Sequence, residues 1–94
     1  MYGTCAKMRV KAENVESLKK VMDAQMSGDP IPGYKQSYVL TENDSDSFWL
    51  FVIFEDRASY DKNANDPAQH ERFMEMRGLL EADPEWHDGM IMEG

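Results

Sequence analysis

The sequence predicts an α+β fold of the ferredoxin-like kind, β-α-β-β-α-β, in which a four-stranded antiparallel sheet carries its helices on one face. Three observations lead there. Residues 2–11 alternate apolar and polar with a period of two. Two later segments, 14–26 and 66–80, repeat their apolar residues at helical spacing. Between them, Phe48 to Phe54 are apolar without interruption, which marks a strand with two apolar faces.

Each element follows from its residues. In the first strand, Tyr2, Thr4, Ala6, Met8 and Val10 share one face, while Gly3, Cys5, Lys7, Arg9 and Lys11 share the other. Asn14 is placed to cap a helix whose stripe is Val15, Leu18, Met22 and Met26, widened by Val21. Gly28 and the following "DPIPG" end that helix in a rigid connection. Residues 34–41 form the second strand, with Tyr34, Gln36, Tyr38 and Leu40 on one face and Ser37 and Val39 on the other. The polar turn "TENDSDS" joins it to the third strand as a hairpin. Asp56 caps a short helix over 57–65. Asp66-Pro67-Ala68-Gln69 restarts the chain as a helix with Asp at the cap and Pro at the first helical position, and Gln69, Phe73, Met76 and Leu80 line one face. "ADP" stops it, and residues 85–92 make the last strand.

Ninety-four residues suit a single domain, 1–94, with a thin core of its own. A net charge of −8 disfavours nucleic acid and anionic membrane surfaces as partners. No apolar run approaches the roughly 18 residues of a membrane span. Cys5 is the single cysteine, so no internal disulfide can form, and a reducing cytoplasm is the expected location. No Cys/His cluster has zinc spacing, and no phosphate loop or nucleophile elbow is present, so no cofactor and no metal is expected.

The third strand sets the main expectation about assembly. Its Phe48, Leu50, Val52 and Phe54 face one way, and Trp49, Phe51 and Ile53 face the other. Helices on one side leave Trp49, Phe51, Ile53 and Val39 bare. Burying each such side chain is worth roughly 1.5–3 kcal/mol, and an open patch of this kind is adhesive. A second copy, sheet against sheet in a symmetric dimer, is the expected cover.

The order of elements, together with Glu55 at the end of the third strand, Tyr60-Asp61 in the short helix and the Asp66-Pro67-Ala68-Gln69 opening, resembles the antibiotic biosynthesis monooxygenase-type family. The resemblance spans nearly the whole chain. It implies a homodimer whose two sheets close into an α+β barrel, with a pocket in each subunit between helices and sheet. It also implies either cofactor-free oxygenation of aromatic, quinol-like substrates or heme degradation. The heme branch places Asn on the first strand, Trp on the helix and His ten residues later. Those positions are Ala6, Asn63 and Phe73 here, so heme degradation ranks last.

The candidate site is therefore Asn63 and His70 as polar groups, with Tyr38, Phe73 and Trp86 as walls around a small aromatic ligand. Asn63 stands where the family has a helical Trp, and its amide can hold a carbonyl or hydroxyl. His70 supplies an imidazole, the side-chain type suited to accepting a proton in general base catalysis. Aromatic walls suit a planar organic molecule. Tyr34 and Tyr60 are further candidates for that lining. His87 beside Asp88, Cys5 beside Lys7, and the acidic turn of Glu42, Asp44 and Asp46 are weaker candidates: adjacent strand residues point apart, and the turn lacks the glycine and distal glutamate of a calcium loop. The leading functional expectation is a cofactor-independent monooxygenase. The alternative is a non-catalytic dimeric module that binds a small hydrophobe or serves only as structure.

Overall fold

The structure, a computed structural model, describes residues 1–26, 28 and 30–94, with Met26 described by its backbone alone. The Met26 side chain of the first helical stripe and Asp29 of the following turn thus lie outside the described residues. The order is β1 (Tyr2–Arg9), a short 3-10 turn (Ala12–Asn14), α1 (Val15–Met26), β2 (Tyr34–Thr41), β3 (Ser47–Phe54), α2 (Arg57–Ala64), α3 (Pro67–Arg77) and β4 (Glu85–Met90). The four strands form one antiparallel sheet in the order β2-β3-β1-β4, the ferredoxin-like arrangement.

The core lies between the helices and one sheet face. Ala6, Met8 and Val10 of the first strand region meet Phe48, Leu18, Met76 and Leu80, with Val15, Met22, Leu50 and Phe73 packed around them. Phe54, 1% exposed, closes the same face at the other end of β3. It anchors an aromatic cluster: Tyr34 and Tyr60 meet it edge-on, with centroids at 5.8 and 5.6 Å, and Tyr2 meets Tyr60 at 5.2 Å.

The helix starts match their chemistry, with two differences. Asp56 accepts from the Ser59 N–H at 2.8 Å, and Asp66 accepts from the Ala68 N–H at 2.9 Å, with Pro67 opening α3. Hydrogen bonding from Ser59 holds the Asp56 carboxyl below its ordinary range. Gln69 does not complete a capping box, because its side-chain oxygen is taken by Arg72 Nε at 3.1 Å. Asn14 does not cap α1 either. It lies in the preceding 3-10 turn and donates its amide to the Leu79 carbonyl at 3.3 Å, tying the start of α1 to the end of the α3 segment.

Cross-strand register corrects the expected faces of β2. Tyr34 pairs with Phe54, but Gln36 pairs with the adjacent Ile53, so Lys35 is an extra residue, a β-bulge. Tyr34 therefore joins the helix-covered face. Gln36, Tyr38 and Leu40 stand opposite Ile53, Phe51 and Trp49 on the uncovered one. Val39, expected on the bare side, pairs with Leu50 and faces the helices.

No described helix lies over Trp49, Phe51 and Ile53. Across that uncovered face, Cys5 pairs with Phe51 on one side and His87 on the other, and Lys7 pairs with Trp49 and Glu85. The charges of β1 find partners within the chain. Lys7 Nζ lies 5.6 Å from the Trp49 ring centroid, and Arg9 reaches Asp46 at 3.5 Å and Glu81 at 3.7 Å. Tyr38 and Leu40 remain 57% and 50% exposed.

Candidate functional site

Two concave sites lie on the helix side of the sheet. They share no lining residue.

The smaller is a cavity of about 270 Å³ where the α1–β2 connection meets α2 and the start of α3. Pro30, Ile31 and Pro32 form its apolar wall, and Ser59, Lys62, Asn63 and Arg72 bring hydrogen-bond donors. Local structure explains the convergence. Gly33 turns with φ of +79°, a backbone state glycine adopts without a Cβ penalty, and an added Cβ would collide with the Ser59 side chain. The connection can therefore press directly onto α2. Arg72 is held from two sides: its Nε donates to Gln69, and its carbonyl accepts from Gln25 Nε2 at 3.0 Å. The cavity offers an amide and two cations beside one carboxylate, Asp66, already engaged as a helix cap. Such a set can hold a developing oxyanion.

The larger is a groove of about 590 Å³ between α1 and the β2–β3 end of the sheet. Buried Val10, Leu18 and Phe48 floor it, and Val15, Met22 and Val39 form its walls. Its mouth carries Lys19, Thr41, Asp44 and Asp46. The volume falls within the range of about 300–1,000 Å³ common for small-molecule sites.

The residues singled out in the sequence are not gathered at one point. Asn63 lines the smaller cavity. His70 is exposed on α3 and lines neither site. Phe73 and Trp86 do meet, with centroids 5.9 Å apart at a tilt of 52°, and Trp86 stays 44% exposed. Tyr38 stands on the opposite face of the sheet, beside Phe51. His87 shares that face and approaches Glu85 at 3.1 Å, while Asp88 points to the helix side and accepts from the Tyr60 hydroxyl at 3.0 Å. Burial first, then the Asp88 carboxylate, pushes Tyr60 up to about 12.

Lys62, Arg72 and the whole larger groove were missed in the sequence. Of the groove's residues, Val15, Leu18, Met22 and Phe48 read there as core, Val39 as part of the bare face, and Asp44 and Asp46 as a solvated turn. Among the described residues, no three His, Cys, Asp or Glu side chains converge where a metal could sit. No described helix is long and apolar enough to cross a membrane.

No family model matches the chain, and no curated protein matches it. Solved structures do. SnoaB from Streptomyces nogalater, described as a cofactor-independent oxygenase, superposes with a TM-score of 0.75 at 17% identity, covering 99% of this chain and 94% of that one. Rv0793 from Mycobacterium tuberculosis gives 0.80 at 14% identity, over 99% and 96%. A protein from Chloroflexus aurantiacus assigned to the antibiotic biosynthesis monooxygenases gives 0.76 at 22% identity, over 99% and 94%. The chain therefore has the fold of the antibiotic biosynthesis monooxygenase-type proteins along nearly its full length.

Proposed function

We propose that the protein is a small cofactor-independent oxygenase acting on a ring compound of the quinol or enol type, bound in the cavity that holds Asn63. The observation that supports this is that Asn63 lines one cavity together with Lys62, Arg72 and the apolar Pro30, Ile31 and Pro32. An electron-rich quinol or enol whose hydroxyl proton has passed to solvent can add oxygen at a ring carbon as a hydroperoxide. The hydroperoxide loses water to leave a carbonyl, so that oxygen is the oxidant and no other is needed. The protein then has to orient the ring, exclude water from it and stabilise the oxyanion. At about 270 Å³ the cavity suits a small ring system rather than a large polyketide. Shared fold with SnoaB supports the reading. His70 stands outside this site, and we assign it no role. Oxygen uptake over a panel of hydroquinones tests the proposal: turnover that falls about tenfold or more in Asn63→Ala and Arg72→Gln is expected. No uptake with any member would leave the binding-module alternative, which the larger apolar groove favours.

We further infer that a second copy covers the sheet face bearing Tyr38, Leu40, Trp49, Phe51 and Ile53. What supports this is that those five side chains stand together on the face away from the helices. Light scattering of the unmodified protein at micromolar concentration should give twice the chain mass of 10.8 kDa.

A further inference from the structure

The groove between α1 and the β2–β3 end lies outside the proposed oxygenation site, and its chemistry is different. Its floor is apolar and buried, with Val10 at 7%, Leu18 at 4% and Phe48 at 6% exposure. Its charged groups are the exposed Lys19, Asp44 and Asp46, and their charges do not balance. Lys19, the single cation of the lining, is turned to Glu16 at 3.5 Å. Asp46 shares Arg9, itself divided between Asp46 and Glu81. Asp44 has no ion-pair partner among the described residues. It occupies φ of +57° at the tip of the β2–β3 turn. The turn is fixed over the groove, because the Val10 N–H donates to the Asp46 carbonyl at 3.3 Å and the Glu42 N–H to the Ser47 carbonyl at 3.2 Å. Asp44 and Asp46 thus belong to a turn fixed at one end of an apolar groove, in a chain whose net charge is −8.

We infer that this groove binds a small molecule with a flat or chain-like apolar body and a cationic end, the body on Leu18, Phe48 and Val39 and the cation between Asp44 and Asp46. The apolar part supplies most of the affinity and the carboxylates supply the sign preference. An anionic ligand of the same shape meets two carboxylates and gains no free cation.

The test uses three probes with one ring system: 1-naphthylmethylamine, 1-naphthalenemethanol and 1-naphthoate. Calorimetry gives the affinities, and amide shifts of residues 39–48 give the location. The amine should bind about tenfold more tightly than the naphthoate, with the alcohol between them, and high salt should narrow the spread. Asp44→Asn combined with Asp46→Asn should remove the preference while leaving the alcohol unchanged; Asn tolerates the left-handed backbone at position 44. Val39→Trp, at a side chain 49% exposed, should fill the groove and abolish binding of all three. Equal affinities, or a preference for naphthoate, overturn the charge assignment. Binding that survives Val39→Trp, or shifts that follow protein concentration instead of probe, overturns the groove as a small-molecule site and in the second case makes a further copy of the chain its occupant.

Discussion

The two faces of one sheet have been solved by different means. On the covered face, Met8 and Phe48 alternate along their strands with residues of the other face, and the helices bring Leu18 and Met76 onto them. Leu80, expected on the helix but lying beyond its end at Arg77, joins them through a bridge to Val10. On the open face, Trp49 and Phe51 are only half-buried, shielded by cross-strand neighbours and by Lys7 and Glu42, the latter accepting from Trp49 Nε1 at 2.8 Å. The lesson is that apolar character alone does not say what a strand face is for. The covered face is sealed by its own chain except at the groove beside β2; the open one presents Tyr38, Leu40, Trp49, Phe51 and Ile53 on β2 and β3 beside Lys7, Arg9, Glu85 and His87 on β1 and β4.

That contrast can be broken experimentally. Phe54→Ala, on the sealed face, should have the largest effect, destabilising by about 3–5 kcal/mol in chemical denaturation at any protein concentration. Phe51→Glu, on the open face, should instead leave the circular dichroism of the fold intact and shift the gel-filtration volume to that of a single chain. If Phe51→Glu unfolds the protein outright and the unmodified chain is already monomeric, the two faces are not different in kind. Gly33→Ala should come next, at about 1–3 kcal/mol, because it forces an L-residue into the left-handed region and drives a Cβ onto Ser59. Its secondary signature should be loss of whatever binds beside Asn63.

The smallest effect is expected at Tyr60→Phe, about 1 kcal/mol for the lost hydrogen bond to Asp88. Here pH gives a sharper test. The folded-state tyrosine ionises later than the ordinary value of 10.0, at about 12, so its contribution is complete below pH 10 and is lost as pH rises through about 12. Ultraviolet titration of the folded protein should show one tyrosine ionising last, and Tyr60→Phe should remove that one.

Much of the fold was legible in the residues because local chemistry and global pattern agree. Asp56 and Asp66-Pro67 announce their helices, and the period-two pattern of β1 survives intact. Parity failed at β2 after Tyr34, where Tyr38, Leu40 and Val39 landed on the faces opposite to those expected. A bulge is a backbone event, and nothing in "YKQSYVLT" fixes its place. The site was less legible. Asn63 carried a signal through its position, whereas Arg72 and Lys62 become relevant only when the α1–β2 connection folds against α2 and α3. The larger groove joins residues 10, 18 and 48, which a linear reading can only class as interior, to Val39, which the bulge turns to their side.

The irregularity at Lys35 means that the edge strand carries one residue more than its neighbour requires. Losing any one of residues 35 to 37 can be absorbed by straightening the strand, with Tyr34 still against Phe54 and Tyr38 still against Phe51. The central strands have no such slack, since a deletion in β3 would rotate every later side chain through the plane of the sheet. Length variation in this protein should therefore be tolerated at the rim beside the smaller cavity and refused a single strand further in.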